Sequence, residues 1–213
     1  MKIRVLLADD HQMLRDGLKA LLQHTADITV VGEAVDGREA VRRAQEFKPD
    51  VVIMDIAMRD LNGIEAVRLL REKCPATRVV MLSMHSNSEH VYRALEAGAT
   101  GFVLKDSAGE EVAAAVRAAH AGRRYLSRAI EALDFSAPFR AGRASPLESL
   151  SARERQVLQL VVEGRSSAEI AASIHLSPKT VETYRGRLMT KLGVRDVPAL
   201  VRFAIEHGIT PSS

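Results

Sequence analysis

The chain has one cysteine, Cys74, and no apolar run approaching the ~20 residues that a membrane span needs. A lone cysteine excludes an internal disulfide and a cysteine-rich metal site, and it fits a reducing compartment. The start of the chain shows no basic segment followed by an apolar one, so no secretory leader is expected. A cytoplasmic protein without membrane contact is the resulting expectation. No glycine-rich loop follows the first apolar run, where Asp10-His11-Gln12 stands instead, and this argues against a phosphate-cradling nucleotide fold.

What is present is a chain of 213 residues, 46% hydrophobic, long enough for one or two cored domains. Its net charge of +3 is unevenly spread: residues 1–122 carry −2, residues 123–147 carry +3 and residues 148–213 carry +2. The change of sign near residue 122 favours two domains with different partners.

The N-terminal part is organised around Val51-Val52-Ile53-Met54-Asp55. Unbroken apolar character, with no alternation, reads as a strand buried on both faces, and its last residue reaches the carboxyl edge of the sheet. Similar runs end at Asp9-Asp10, at Ser83 and at Lys105, and another lies around Ile28–Val31. Segments of helical spacing separate them, one opened by Asn62 with Glu65 three residues on. The pattern predicts an α/β domain: a five-stranded parallel sheet of flavodoxin-like type, with strands and helices alternating over residues 1–122. Residues 123–147, with five arginines, Pro138, Gly142 and Pro146, read as a flexible or partly helical linker.

Residues 148–213 carry no strand signal and predict a small all-α helix-turn-helix domain. Ser151-Ala152-Arg153-Glu154 and Ser166-Ser167-Ala168-Glu169 are capping boxes, and Ser177-Pro178 opens a third helix running to about Leu192. Two short helices joined by a tight turn suit DNA binding. On the second, Lys179, Thr180, Glu182, Thr183, Arg185, Arg187 and Lys191 are polar, while Val181, Leu188 and Leu192 turn inward. Lys179 and Arg185 suit phosphate; Glu182, Thr183 and Arg187 carry groups able to meet base edges. A last helix has Val197, Leu200, Val201, Ala204 and Ile205 on one face, as core or as a two-fold contact between copies.

Parallel strands share one carboxyl edge, so Asp9, Asp10, Asp55, Ser83 and Lys105 converge although distant in sequence. Clustered carboxylates repel, and a hard divalent cation such as Mg²⁺ relieves that repulsion. Asp55 is then placed to attack a phosphoryl group, with Lys105 balancing the charge and Ser83 donating to the attached phosphate. His11 and His85 lack metal-ligand spacing and are read as rim residues, and Cys74 lies outside the pocket.

Asp9-Asp10, Met54-Asp55-Ile56-Ala57-Met58, Ser83 and Gly101-Phe102-Val103-Leu104-Lys105 resemble the receiver domain of two-component response regulators. Leu150-Ser151-Ala152-Arg153-Glu154-Arg155, Glu169-Ile170-Ala171 and Leu176 through Val194 resemble the LuxR-type helix-turn-helix, and the pair together resembles the NarL/FixJ subfamily. The resemblance implies a transcription regulator whose Asp55 accepts phosphate from a sensor histidine kinase. It also implies Mg²⁺ held by Asp9, Asp10, Asp55 and the Ala57 carbonyl, a switch pair Ser83 and Phe102, and Lys105 on the phosphate. Promoter DNA and a homodimer formed on phosphorylation complete the implied partners. Three positions depart from the family pattern: Arg59 where proline is frequent, Phe102 where tyrosine is frequent, and Glu182 where many relatives are basic.

A rival reading is a phosphatase of the haloacid-dehalogenase type, which shares the aspartate, hydroxyl, lysine and Mg²⁺ logic. It requires a second aspartate two residues after the nucleophile to protonate the leaving group; Ala57 stands there, so turnover is not expected.

Overall fold

The computed structural model describes residues 2–84, 88–131, 146–206 and 209. Two compact units, Met1–Phe135 and Ser136–Ser213, make up the chain. His85, expected at the pocket rim, lies outside the described residues, as does the linker from 132 to 145.

In the first unit the strands are β1 (Ile3–Ala8), β2 (Ile28–Ala34), β3 (Val51–Asp55), β4 (Arg78–Ser83), β5 (Gly101–Leu104) and β6 (Tyr125–Leu126). All pair in parallel, in the order β2-β1-β3-β4-β5-β6. The helices between them are α1 (Gln12–Gln23), α2 (Gly37–Phe47), α3 (Gly63–Lys73), α4 (Ser88–Ala97) and α5 (Ala108–His120). Alternation along β3 shows how the sheet is covered. Val52 and Met54 face a core completed by α2, α3 and α4, whereas Val51 and Ile53 face one completed by α1 and α5. Every residue of β3 is buried, which is why the strand carries no polar alternation.

The strand order reverses at β1, whose neighbours are β2 and β3. Chain crossovers leave on opposite faces there, so the helix starts diverge and open a crevice at the carboxyl edge. Register places Ala8 beside Met54, Asp55 beside Leu82 and Ser83 beside Leu104, so the residues that follow β1 and end β3 and β4 share one level.

The sequence predicts five strands, and the structure adds a sixth inside the stretch read as linker. Tyr125 and Leu126 pair with Gly101 and Phe102, and the Ser127 amide donates to the Phe102 carbonyl at 2.9 Å. A short helix, α6 (Arg128–Glu131), then buries Ile130 in the cluster that holds Phe102, Val91 and Ala94. Two residues between arginines are too few to display a period, so pairing alone reveals this strand.

The second unit contains α7 (Ala152–Val162), α8 (Ser167–Ser173), α9 (Pro178–Leu192) and α10 (Val197–Glu206) around its own core. Ser151 and Ser166 form the two reciprocal capping boxes expected, and the Ser177 side chain accepts from the Thr180 amide with Pro178 in the first turn. Gly193 ends α9 in the left-handed conformation, φ 67°. On α10, Leu200 and Ala204 are core and Ile205 is exposed.

Candidate functional site

Asp9 and Asp55 are almost fully buried, and the Asp10 side chain is 10% exposed. Burial of carboxylates on this scale is costly unless something compensates. One compensation is Lys105, whose Nζ stands 2.8 Å from Asp9 Oδ2 and 3.0 Å from Asp55 Oδ2. Another is the start of α1: the His11 amide donates to Asp9 Oδ1 at 2.8 Å, and His11 Nδ1 lies 3.1 Å from that oxygen and 2.9 Å from Asp10 Oδ1. The Arg59 guanidinium approaches Asp10 Oδ2 at 4.0 Å.

These contacts leave the site short of positive charge. Both oxygens of Asp10 are buried, and among the described residues neither has an aligned hydrogen-bond donor: His11 Nδ1 and the Arg59 guanidinium meet them only as ion-pair contacts. Lys105 neutralises Asp9 and Asp55 by proximity, without aligned hydrogen bonds to their Oδ2 atoms. Burial, then the neighbouring Asp9 carboxylate, push the Asp55 carboxyl up to about 6, with Lys105 acting in the other direction. Burial works against the Lys105 ammonium, but Asp55 and Asp9 outweigh it and hold its pKa above the ordinary value.

The donor set fits a hard divalent cation. Asp9, Asp10, His11 and Asp55 each offer a ligand atom, all within 4.8 Å of one another, and three of the four are carboxylates. All-oxygen carboxylate sites of this kind match Mg²⁺. Ala57, whose carbonyl was expected to join them, is half-buried in the loop two residues past Asp55.

Two residues shape the pocket in ways that the sequence does not signal. Gly63 opens α3 against β3: a Cβ there would stand 2.0 Å from the Asp55 carbonyl oxygen, so only glycine permits this approach. Its proximity to Asn62 signals a turn but gives no hint of that contact. Arg15 is buried on α1 and donates to the Asp9 carbonyl at 2.7 Å while pairing with Glu33 at 3.4 Å. It fixes the backbone under the acidic pair, and one arginine in an amphipathic helix carries no sequence signal of that role.

Ser83, the last residue of β4, is buried, and Phe102 on β5 is completely so. Phe102 points into the core beside α4 and Ile130.

In the second unit α9 presents Lys179, Glu182, Thr183, Arg187 and Lys191 to solvent, with Thr180 and Arg185 half-buried. Exposure does not mean availability. Lys191 Nζ donates to Glu154 at 2.7 Å and to the Ser149 carbonyl at 3.1 Å, tying α9 to the start of α7. Arg185 donates to Ser167 and Glu182. The Thr183 hydroxyl donates back to the Lys179 carbonyl at 3.0 Å. Lys179 and Arg187 have no ion-pair partner among the described residues. No described helix is long and apolar enough to cross a membrane.

A doubly wound sheet with three carboxylates and a lysine at its switch point, in one chain with a helix-turn-helix unit, defines a receiver-linked DNA-binding protein. Comparison with known proteins gives the same class. Residues 5–117 match the response regulator receiver domain, and residues 148–204 match the bacterial regulatory proteins of the luxR family. The chain is 37% identical to the response regulator protein VraR of Staphylococcus aureus over 98% of its own length and 99% of that protein. It is 39% identical to the transcriptional regulatory protein MctR of Rhizobium johnstonii, over 98% and 95%. Among solved structures, the RcsB response regulator of Salmonella typhimurium is similar, with 26% identity, TM-score 0.59 and coverage of 96% and 98%. RcsB has also been solved in complex with DNA (25%, TM-score 0.60, 96% and 98%). A further structure shows two RcsB dimers on two parallel DNAs (25%, TM-score 0.59, 96% and 98%).

The chain therefore belongs to the response regulators that join a receiver to a LuxR-type DNA-binding domain. It is a two-component transcription regulator, phosphorylated on a receiver aspartate, and its family is one of regulators rather than enzymes.

Proposed function

We propose that Asp55 is the phosphorylated aspartate and that a sensor histidine kinase supplies the phosphoryl group. An Asp55 oxygen attacks phosphorus, the phosphorus–nitrogen bond of the donor phosphohistidine breaks, and the departing imidazole regains a proton. The observation that carries this reading is the charge imbalance of the pocket: three clustered carboxylates share the one buried lysine Lys105, and among the described residues the buried Asp10 oxygens have no aligned hydrogen-bond donor. Asp9, Asp10, Asp55 and the Ala57 carbonyl would hold Mg²⁺. When bound, the cation offsets carboxylate repulsion and supplies charge for the phosphoryl oxygens. Lys105 lies within ion-pair reach of Asp55 and so meets the oxygens added there.

Ser83 and Phe102 are the switch pair in this reading. Phe102 fills the core beside Val91 and Ala94, so a rotamer change there alters the packing of α4 and of Ile130. On α9, Lys179 and Arg187, without an ion-pair partner among the described residues, are cations suited to phosphate or base contacts, with Thr180 and Thr183 on the same helix. The partner is promoter DNA, read by a homodimer that phosphorylation promotes, in the cytoplasm. RcsB, solved as dimers on DNA, supports the reading.

The test is intact-mass spectrometry after acetyl phosphate treatment, with DNA binding and light scattering on the same samples. Wild type should gain one alkali- and hydroxylamine-labile phosphoryl group in the presence of Mg²⁺, form more dimer and bind DNA more tightly. Asp55→Asn should gain none, and a chelator should stop the reaction in wild type. An undiminished adduct on Asp55→Asn would move the acceptor to Asp9 or Asp10.

A further inference from the structure

Glu182 sits in the second turn of α9, the second helix of the helix-turn-helix, yet its carboxylate is not left open. Ser167, the first residue of α8, donates its hydroxyl to Glu182 Oε1. Arg185 Nη1 donates to the same Glu182 oxygen at 3.0 Å and to Ser167 Oγ at 2.7 Å. Three side chains from two helices thus close a triangle. Arg185 is its more sheltered member: its side chain is 21% exposed, against 59% for Glu182. An exposed pair three residues apart on one helix contributes little by itself. The Ser167 hydroxyl changes that, because it fixes the guanidinium against α8 and fixes the carboxylate that faces it.

We propose that Ser167, Glu182 and Arg185 form a clamp that withholds Arg185 from DNA phosphate, so Glu182 influences recognition through Arg185 and not by touching a base. This rests on the DNA-binding reading and reassigns two residues within it: Glu182 becomes a positioning residue, and Arg185 a held cation. Ser167, a spacer residue of the capping box, becomes the anchor. The consequence is selectivity. A helix that offered Lys179, Arg185 and Arg187 together would bind any duplex strongly, since phosphate contacts carry no sequence information. With Arg185 held, the sequence-independent part of the affinity is lowered.

The full-length protein can be titrated with a random-sequence duplex by fluorescence anisotropy at several salt concentrations. Circular dichroism melts confirm that each variant is folded. Glu182→Gln should tighten random-DNA binding by roughly 3–10-fold and steepen the salt dependence by about 0.9, as expected for one added phosphate contact. Ser167→Ala changes no charge; it should shift both quantities in the same direction, about 2-fold in affinity. In an Arg185→Met background Glu182→Gln should do almost nothing. If Glu182→Gln tightens binding equally with and without Arg185, bare repulsion between Glu182 and DNA is the explanation and the clamp is overturned. A Ser167→Ala protein with unchanged affinity and salt slope overturns it too. Wild type without salt-dependent binding to any duplex would remove the DNA-binding reading itself, a result separate from either of these.

Discussion

In the first unit three carboxylates share a buried pocket with Lys105, and among the described residues the oxygens of Asp10 have no aligned hydrogen-bond donor. In the second unit three acidic side chains are matched: Glu154 accepts from Ser151 and Lys191, Glu169 from Ser166, and Glu182 from Ser167 and Arg185. The same residue types are thus used to opposite ends. Unmatched buried charge stores a demand for a ligand, because a cation or a proton lowers its energy. Matched charge spends its capacity inside the fold, fixing helix starts and helix pairs, and leaves few groups for a partner. A count of charges along each segment cannot show this difference.

Removing the unmatched charge has the largest expected effect. The folded-state pKa of about 6 for Asp55 lies above its ordinary 3.8. Between those values the folded chain keeps a proton that the unfolded chain has released. The contribution of Asp55 to stability is therefore full below 3.8, falls as pH rises through about 6, and is flat above that. Metal-free Asp55→Asn should consequently be more stable than wild type at pH 8, by about 2–3 kcal/mol, and close to it near pH 4. Urea unfolding at the two pH values measures this. Saturating Mg²⁺ should erase the advantage, since the cation binds the ionised carboxylate. A less stable Asp55→Asn at pH 8 without metal would mean that Lys105 already balances the pocket.

The pocket was readable in the sequence because its chemistry follows from topology. Buried parallel strands run apolar to their ends, and whatever follows the run lands on one edge, so Asp9, Asp55, Ser83 and Lys105 could be grouped without knowing a distance. The helix starts of the second unit were equally readable, since Ser151, Ser166 and Ser177 act within three residues of themselves. What could not be read depends on side-chain geometry between elements. Gly63 matters because α3 starts on top of the Asp55 carbonyl, and Arg15 because it reaches back under Asp9. Tyr125 and Leu126 form a strand only because β5 offers an edge to pair with. On α9 the helical wheel separates polar from apolar positions correctly, but it cannot tell Lys179 and Arg187 from Arg185 and Lys191, whose partners lie on other helices.

A smaller effect sharpens the matched side. Glu154 is buried and serves twice, completing the capping box with the Ser151 amide at 2.8 Å and accepting from Lys191 at 2.7 Å. Glu154→Ala should destabilise the second unit by about 1–2 kcal/mol, since it frees a helix-start amide and an ammonium group together. Chemical denaturation followed by circular dichroism reads the change. A cost below a few tenths would show that water replaces Glu154 at both donors.

The smallest expected effect concerns Lys191, which sequence reasoning groups with the DNA contacts. Its ammonium lies between the Glu154 carboxylate and the Ser149 carbonyl, while its side chain remains 41% exposed. The pair is therefore partly screened, and Lys191→Met should cost about 0.5–1 kcal/mol in stability. Its effect on DNA should be smaller than its position suggests, because the charge is already neutralised inside the domain. Salt titrations of duplex binding separate the two roles. Lys179→Met and Arg187→Met should each flatten the salt dependence by about 0.9, one phosphate's worth, whereas Lys191→Met should leave the slope close to wild type. A slope that flattened as much for Lys191→Met as for Lys179→Met would mean that DNA draws the ammonium away from Glu154. The charges of the second unit would then be matched only until a duplex arrives.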